Sequence, residues 1–94
     1  MNQEFFFVYT LFSLKDRKLY IGYSENLNDR INEHFKGRVR ATKTRLPLIL
    51  IQYEAFSNKK DAKTREKFLK SGFGRSQLKK ALQNRLRQLN YKHL

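Results

Sequence analysis

Five side chains in this sequence could together act on a phosphodiester: the phenols of Tyr9 and Tyr20, the guanidinium of Arg30, the imidazole of His34 and the carboxylate of Glu66. Glu66 could hold one divalent ion, a tyrosine or His34 could help to deprotonate water, and Arg30 could stabilise the developing charge. Other chemistries are poorly supplied. The two histidines, His34 and His93, stand in different segments, and there is no cysteine, which excludes disulfides, thiolate metal sites and clustered His or Cys motifs. No Ser-His-Asp set is indicated. The acids form neither the D-x-D nor the D…E-x-K grouping of many nucleases, so a two-metal site is poorly supported and a one-carboxylate site remains.

The elements that must position these groups begin with the stretch Leu19 to His34. A strand over Lys18 to Tyr23 would turn Leu19, Ile21 and Tyr23 one way and Tyr20 and Gly22 the other. Ser24 to Asn26 supply helix caps, and Leu27, Ile31 and Phe35 follow at i, i+4, i+8. Arg30 and His34 are four apart on that helix, on a face bordering the apolar one, so a phenol, a guanidinium and an imidazole would converge at one end of the element. Upstream, Phe5 to Phe12 reads as a strand buried on both faces. A loop at Ser13 to Asp16 makes the next strand antiparallel and sets Tyr9 opposite Tyr20.

Downstream, Gly37 to Arg45 reads as an exposed loop, either a solvated linker or a phosphate-tracking segment, whose cations Arg38, Arg40, Lys43 and Arg45, with Lys36 just before it, would contact nucleic acid. Pro47 opens a third strand, Leu48 to Tyr53, apolar enough to be central. Ser57 or Asn58 caps a second helix that runs to about Ser71 and is ended by Gly72. Ala62, Glu66 and Leu69 share its inward face. An inward glutamate needs a partner, either a metal ion or an arginine such as Arg30; facing solvent, it would pair with Lys70. A last helix, Arg75 to Leu89, carries Leu78, Ala81, Leu82, Leu86 and Leu89 at helical spacing, with Arg75 and Lys79 among the cations that would extend a binding surface. Asn90 to Leu94 reads as a frayed tail.

The expected fold is therefore α+β, a small three-stranded antiparallel sheet flanked by helices in the order β-β-α-β-α-α. It reads as one domain over residues 1–94, with its core in 5–82 and a basic helix end and tail in 83–94. The chain holds 21 Lys and Arg against 8 Asp and Glu, a net charge of +13, and such an excess is matched by a polyanion. Nucleic acid is the natural partner; a ribosomal or merely basic protein is the plainer alternative. The cations are spread along the chain rather than gathered on one amphipathic helix, which speaks against a membrane surface. No run approaches the roughly 18 apolar residues of a membrane span. Met1 to Glu4 is not a signal peptide, and the cysteine-free composition fits a reducing cytoplasm.

At the candidate residues the sequence resembles the GIY-YIG endonuclease family, closest to its small single-domain bacterial members. The first signature is degenerate, Phe7-Val8-Tyr9, but keeps its tyrosine. The second, Tyr20-Ile21-Gly22, is intact and lies eleven residues later. Arg30 stands in D-R-I-x-E-H, Glu66 in T-R-E-K-F-L-K, and a basic loop and an E-A-F segment also recur in such members. The resemblance covers Phe6 to about Leu82. It implies a GIY-YIG fold and hydrolysis of DNA phosphodiesters, duplex or branched, with a single Mg or Mn ion. Glu66 would be the metal ligand, Tyr20 the activator of the attacking water, and Tyr9 a positioning group or second proton acceptor. Arg30 would clamp the phosphate, His34 would transfer a proton or contact phosphate, and Gly22 would let the backbone pack tightly. Specificity would come from DNA shape, a protein partner or a homodimer; repair, mobile-element and restriction roles are equally compatible. The alternative is a non-catalytic nucleic-acid-binding module on the same fold.

Overall fold

The computed structural model describes residues 4–91; positions 1–3 and 92–94, with His93 and the end of the expected Asn90 to Leu94 tail, lie outside the described residues. The elements are β1 (Phe6–Ser13), β2 (Leu19–Ser24), α1 (Leu27–Phe35), β3 (Leu48–Phe56), α2 (Lys59–Lys70), α3 (Gly72–Ala81) and α4 (Gln83–Gln88). The strands form an antiparallel sheet in the order β2-β1-β3. This is the expected α+β architecture with one short helix more than predicted.

β1 is the central strand, its last six residues all buried. β3 lies at an edge, not at the centre as its composition suggested. Its first half is apolar because helices cover both faces: Leu48 and Leu50 pack with α1, and Ile49 and Ile51 with the opposite layer. The hairpin register also differs from expectation. Gly22 lies opposite Tyr9, and Tyr20 opposite Leu11. Ser13 stays in the strand, where its Oγ accepts from the backbone N–H of Lys15 and Asp16, so the connection spans residues 14–18. The slip is two residues, which keeps both tyrosines on the expected face.

That face is covered by α1, whose Ile31 packs with Tyr9, Leu11 and Leu48. Asn26 caps α1 by accepting from the Asp29 N–H. The other face holds the larger core: Val8, Phe12, Leu19 and Ile21 meet Ala62 and Leu69 of α2, Leu78 of α3 and Leu86 of α4. Asn58 caps α2. Gly72, expected to end that helix, instead opens α3. The break is made by Ser71, whose extended backbone leaves one helix while its Oγ accepts from the Gly74 N–H and caps the next. The expected single helix Arg75 to Leu89 is interrupted at Leu82 (φ −108°, ψ 14°), and the redirected α4 buries Leu86 completely.

The segment between α1 and β3 is folded against the hairpin rather than loose. Val39 and Thr42 are turned inward and buried, and Ser13 Oγ donates to the Arg45 carbonyl at 2.6 Å. The Arg45 guanidinium grips Asp16 through two hydrogen bonds, of 2.6 and 3.2 Å, and this holds the Asp16 carboxyl below its ordinary range.

Candidate active site

The site starts at a missing side chain. A Cβ placed on Gly22 would overlap Cζ and the hydroxyl of Tyr9, so glycine in β2 is what lets the Tyr9 phenol cross the neighbouring strand. Tyr9 is consequently almost fully buried, and its hydroxyl lies 2.7 Å from His34 Nε2. The imidazole is enclosed by both tyrosines, with ring centroids 5.5 Å from Tyr9 and 5.2 Å from Tyr20. The two phenol rings are 6.5 Å apart.

His34 was expected beside Arg30 on a bordering face of α1. It is instead one of the two buried residues of the helix, with Ile31, while Phe35, expected on the apolar face, is 45% exposed. Position i+8 has drifted by about 80° from i, and i+7 lies closer to the sheet. The second ring nitrogen, Nδ1, lies 2.7 Å from the Thr42 hydroxyl, also fully buried. A chain Tyr9–His34–Thr42 thus runs from the sheet, through α1, into the basic loop. Thr42 was absent from the sequence-based site; its signal was the Val39 and Thr42 pair, three apart and β-branched among charged neighbours.

Electrostatics tie the remaining groups to this cluster. Burial pushes the Tyr9 phenol above its ordinary range; the Arg30 guanidinium beside it works against the shift, and Tyr20 and Glu66 add to it. Burial, then the positive charge of Arg30, bring the His34 imidazole down to about 4, so it is neutral at neutral pH. Arg30 itself is exposed. Tyr20 is half-buried, and among the described residues its hydroxyl takes no hydrogen bond.

Glu66 is turned inward, as its position on α2 required, with its side chain 15% exposed. Its partner is not Arg30: Lys70 Nζ donates to it at 2.9 Å, and Lys63 stands at 3.6 Å. Among the described residues no three His, Cys, Asp or Glu side chains converge. Glu66 is the carboxylate that could hold a divalent ion here, and so small a donor set suits Mg, which commonly takes one or two carboxylates and completes its shell with water and substrate phosphate.

Of the expected nucleic-acid contacts, Lys36, Arg38, Arg40 and Lys43 are exposed around the end of α1 and the following loop. Arg45 is committed to Asp16. Arg75 and Lys79 belong to α3, whose Leu78 packs, like Ala62 and Leu69 of the Glu66-bearing α2, on the opposite face of the sheet from Ile31 of α1. Among the described residues no helix is long and apolar enough to cross a membrane.

Comparison with known proteins gives one consistent result. The family profile described as the GIY-YIG catalytic domain matches residues 5–81. A UPF0213 protein of Staphylococcus haemolyticus is 42% identical over 76% of this chain and 87% of its own length. One of Clostridium perfringens is 34% identical over 90% of this chain and 91% of its own, and one of Lactococcus lactis subsp. cremoris is 37% identical over 92% and 86%. No solved structure gives a significant match.

Proposed function

The chain belongs to the GIY-YIG family and is similar to its UPF0213 members, and from that premise we propose that it is a metal-dependent DNA endonuclease. The observation that carries the reading is the convergence of Tyr9, Tyr20, Arg30 and His34 on one face of the sheet, with the charge of Glu66 felt at the Tyr9 hydroxyl.

Each residue then has a task. Arg30, exposed and cationic, binds a non-bridging oxygen of the scissile phosphate and stabilises charge as it builds there. Tyr20 faces the substrate with an uncommitted hydroxyl and, as its phenolate, takes the proton of the attacking water and becomes the neutral phenol. Tyr9, whose phenol burial keeps protonated, donates to Nε2 of neutral His34; Nδ1–H donates to Thr42, which fixes the tautomer and holds both rings against Tyr20. Glu66 would hold one Mg or Mn ion, supplying Lewis-acid neutralisation of phosphoryl charge. To do so it must exchange Lys63 and Lys70, which now neutralise it. Lys36, Arg38, Arg40 and Lys43 track the backbone beside the site.

That lysine pairing of Glu66 is also what favours the second reading, a nucleic-acid-binding module without catalysis. Single-turnover cleavage and equilibrium binding of labelled DNA separate the two. Arg30→Ala and Glu66→Gln should each lower the cleavage rate by about 10²–10³-fold while affinity in EDTA changes by less than about tenfold. Loss of folding in both variants would make these residues structural and contradict the nuclease reading.

A further inference from the structure

Behind the sheet, α3 and α4 enclose an open groove of about 460 Å³ lined by Gly72, Arg75, Ser76, Lys79, Lys80, Gln83 and Arg87. Four of those side chains are cationic, and no Asp or Glu occurs in the sequence after Glu66. Elsewhere several cations are neutralised: Arg45 by Asp16, Arg65 by Glu54, Lys59 by Glu25, Arg38 by Glu33, and Lys63 and Lys70 by Glu66. In the groove no ion pair forms among the described residues. Arg75 Nε is the single buried side-chain polar atom with no hydrogen-bond partner there, a group that a native protein ordinarily satisfies.

One further residue narrows the ligand. Phe73 is 70% exposed, the most exposed large apolar side chain among the described residues. It shares a helix face with Ser76 and Lys80 at i, i+3, i+7, which places it on the rim of the groove, and an edge-on contact with Phe68 at 6.1 Å steadies its ring. Cations along a concave track with an accessible aromatic beside them bind single strands: the cations take the phosphates and the ring stacks on an unpaired base. A duplex keeps its bases in the stack and offers Phe73 nothing. We propose that the α3–α4 groove is a second nucleic-acid site that takes a single-stranded segment, on the opposite side of the sheet from the ring cluster. This rests on the nucleic-acid part of the function proposed above. The substrates engaged by both sites would be duplexes bearing a single-stranded arm.

The test is fluorescence-anisotropy binding in EDTA of two labelled DNAs, a blunt duplex and the same duplex with a single-stranded tail, across a salt series. Wild type should bind the tailed duplex at least about tenfold tighter. The triple variant Lys79→Gln, Lys80→Gln, Arg87→Gln should lose that preference, with its salt slope on the tailed DNA lower by about 2. Phe73→Ala, at an exposed position, should lose about tenfold on the tailed DNA with an unchanged slope. A tailed-to-blunt ratio equal in wild type and variants would overturn the proposal, as would equal losses on both DNAs, which would make the groove a duplex surface. Cleavage in Mg is scored separately. A wild type that cuts but shows no tail preference overturns the groove alone; tail-dependent binding without cutting overturns the nuclease reading alone.

Discussion

The two sides of the sheet handle polar groups in opposite ways. On the α1 side, Tyr9, His34 and Thr42 are buried, neutral and bonded in a chain; the charge of Arg30, at the solvent edge, acts on Tyr9 and His34, and that of Glu66 acts on Tyr9. On the α3–α4 side, Arg75, Lys79, Lys80 and Arg87 line an open groove with no Asp or Glu among its lining residues. Rigid, pre-bonded groups suit a step in which atoms must be held in place. An unneutralised track suits holding a long anion whose position along the track matters little. The difference teaches that the net charge of +13 is not a uniform coat: Asp29 and Asp61 stand in the first turns of α1 and α2, other acids pair with cations around β1, β2 and α2, and the groove lining holds none.

If this contrast is right, substitutions on the α1 side change rate and leave affinity nearly alone. The largest of the effects considered next is expected for Tyr20→Phe, which removes the acceptor hydroxyl while keeping the ring against His34; single-turnover cleavage should fall by about 10²-fold or more. Equal rates in the variant and wild type would move the proton acceptor elsewhere. Gly22→Ala comes next. Its methyl group displaces the Tyr9 phenol, so the rate should drop by about ten- to 100-fold and urea melts should show a loss of about 1–3 kcal/mol from overpacking. An unperturbed Tyr9–His34 pair in that variant, read from the imidazole NMR signals, would contradict the close-approach account.

How much of this was legible in the sequence depends on the kind of fact. Strand faces were readable, because Leu19, Ile21 and Tyr23 alternate with Tyr20 and Gly22 and a pleat has a fixed period. Caps were readable at Asn26 and Asn58. Tyr9, Tyr20 and His34 lie together, with the Arg30 charge acting on His34, as strand alternation and the i, i+4 spacing on α1 made possible. The register was not readable, since Ser13 uses its side chain to extend β1 before the turn. Nor was the burial of His34, which an i, i+4, i+8 ladder assigns to Phe35, or the break at Leu82, which packing of Leu86 imposes on a sequence that is helical throughout. Thr42 is buried in a segment whose charged neighbours are exposed, so local composition carries no sign of its inward turn.

Smaller effects sharpen the picture of the buried relay. His34 titrates at about 4 in the folded protein against an ordinary value of 6.5. The unfolded chain therefore binds the extra proton first, and stability is full above 6.5 and declines as pH falls from 6.5 towards 4, by at most about 1.4 kcal/mol per pH unit. The depressed carboxyls of Asp16 and Glu54 act at the acid end of that window and below it, their contribution being lost as pH falls from their ordinary values of 3.8 and 4.5. Urea melts between pH 7.5 and 4.5 should show this slope in wild type and a flatter one in His34→Gln; parallel curves would mean that the imidazole is not held neutral. The smallest effect is expected for Thr42→Val, which strips the Nδ1 partner. It should cost about 1–2 kcal/mol of stability and about threefold to tenfold in rate, with Thr42→Ser restoring both. Restoration of stability without rate would reduce Thr42 to a packing residue.

The most direct test of the central claim is cleavage of labelled duplex, branched and single-stranded DNA by wild type and by Glu66→Ala, each in Mg, in Mn and in EDTA. The account predicts that wild type cuts at least one of these DNAs in Mg or Mn, not in EDTA, and that Glu66→Ala cuts none while still binding them. Binding without cutting by wild type on every substrate, or cutting that persists in EDTA or in Glu66→Ala, would contradict it.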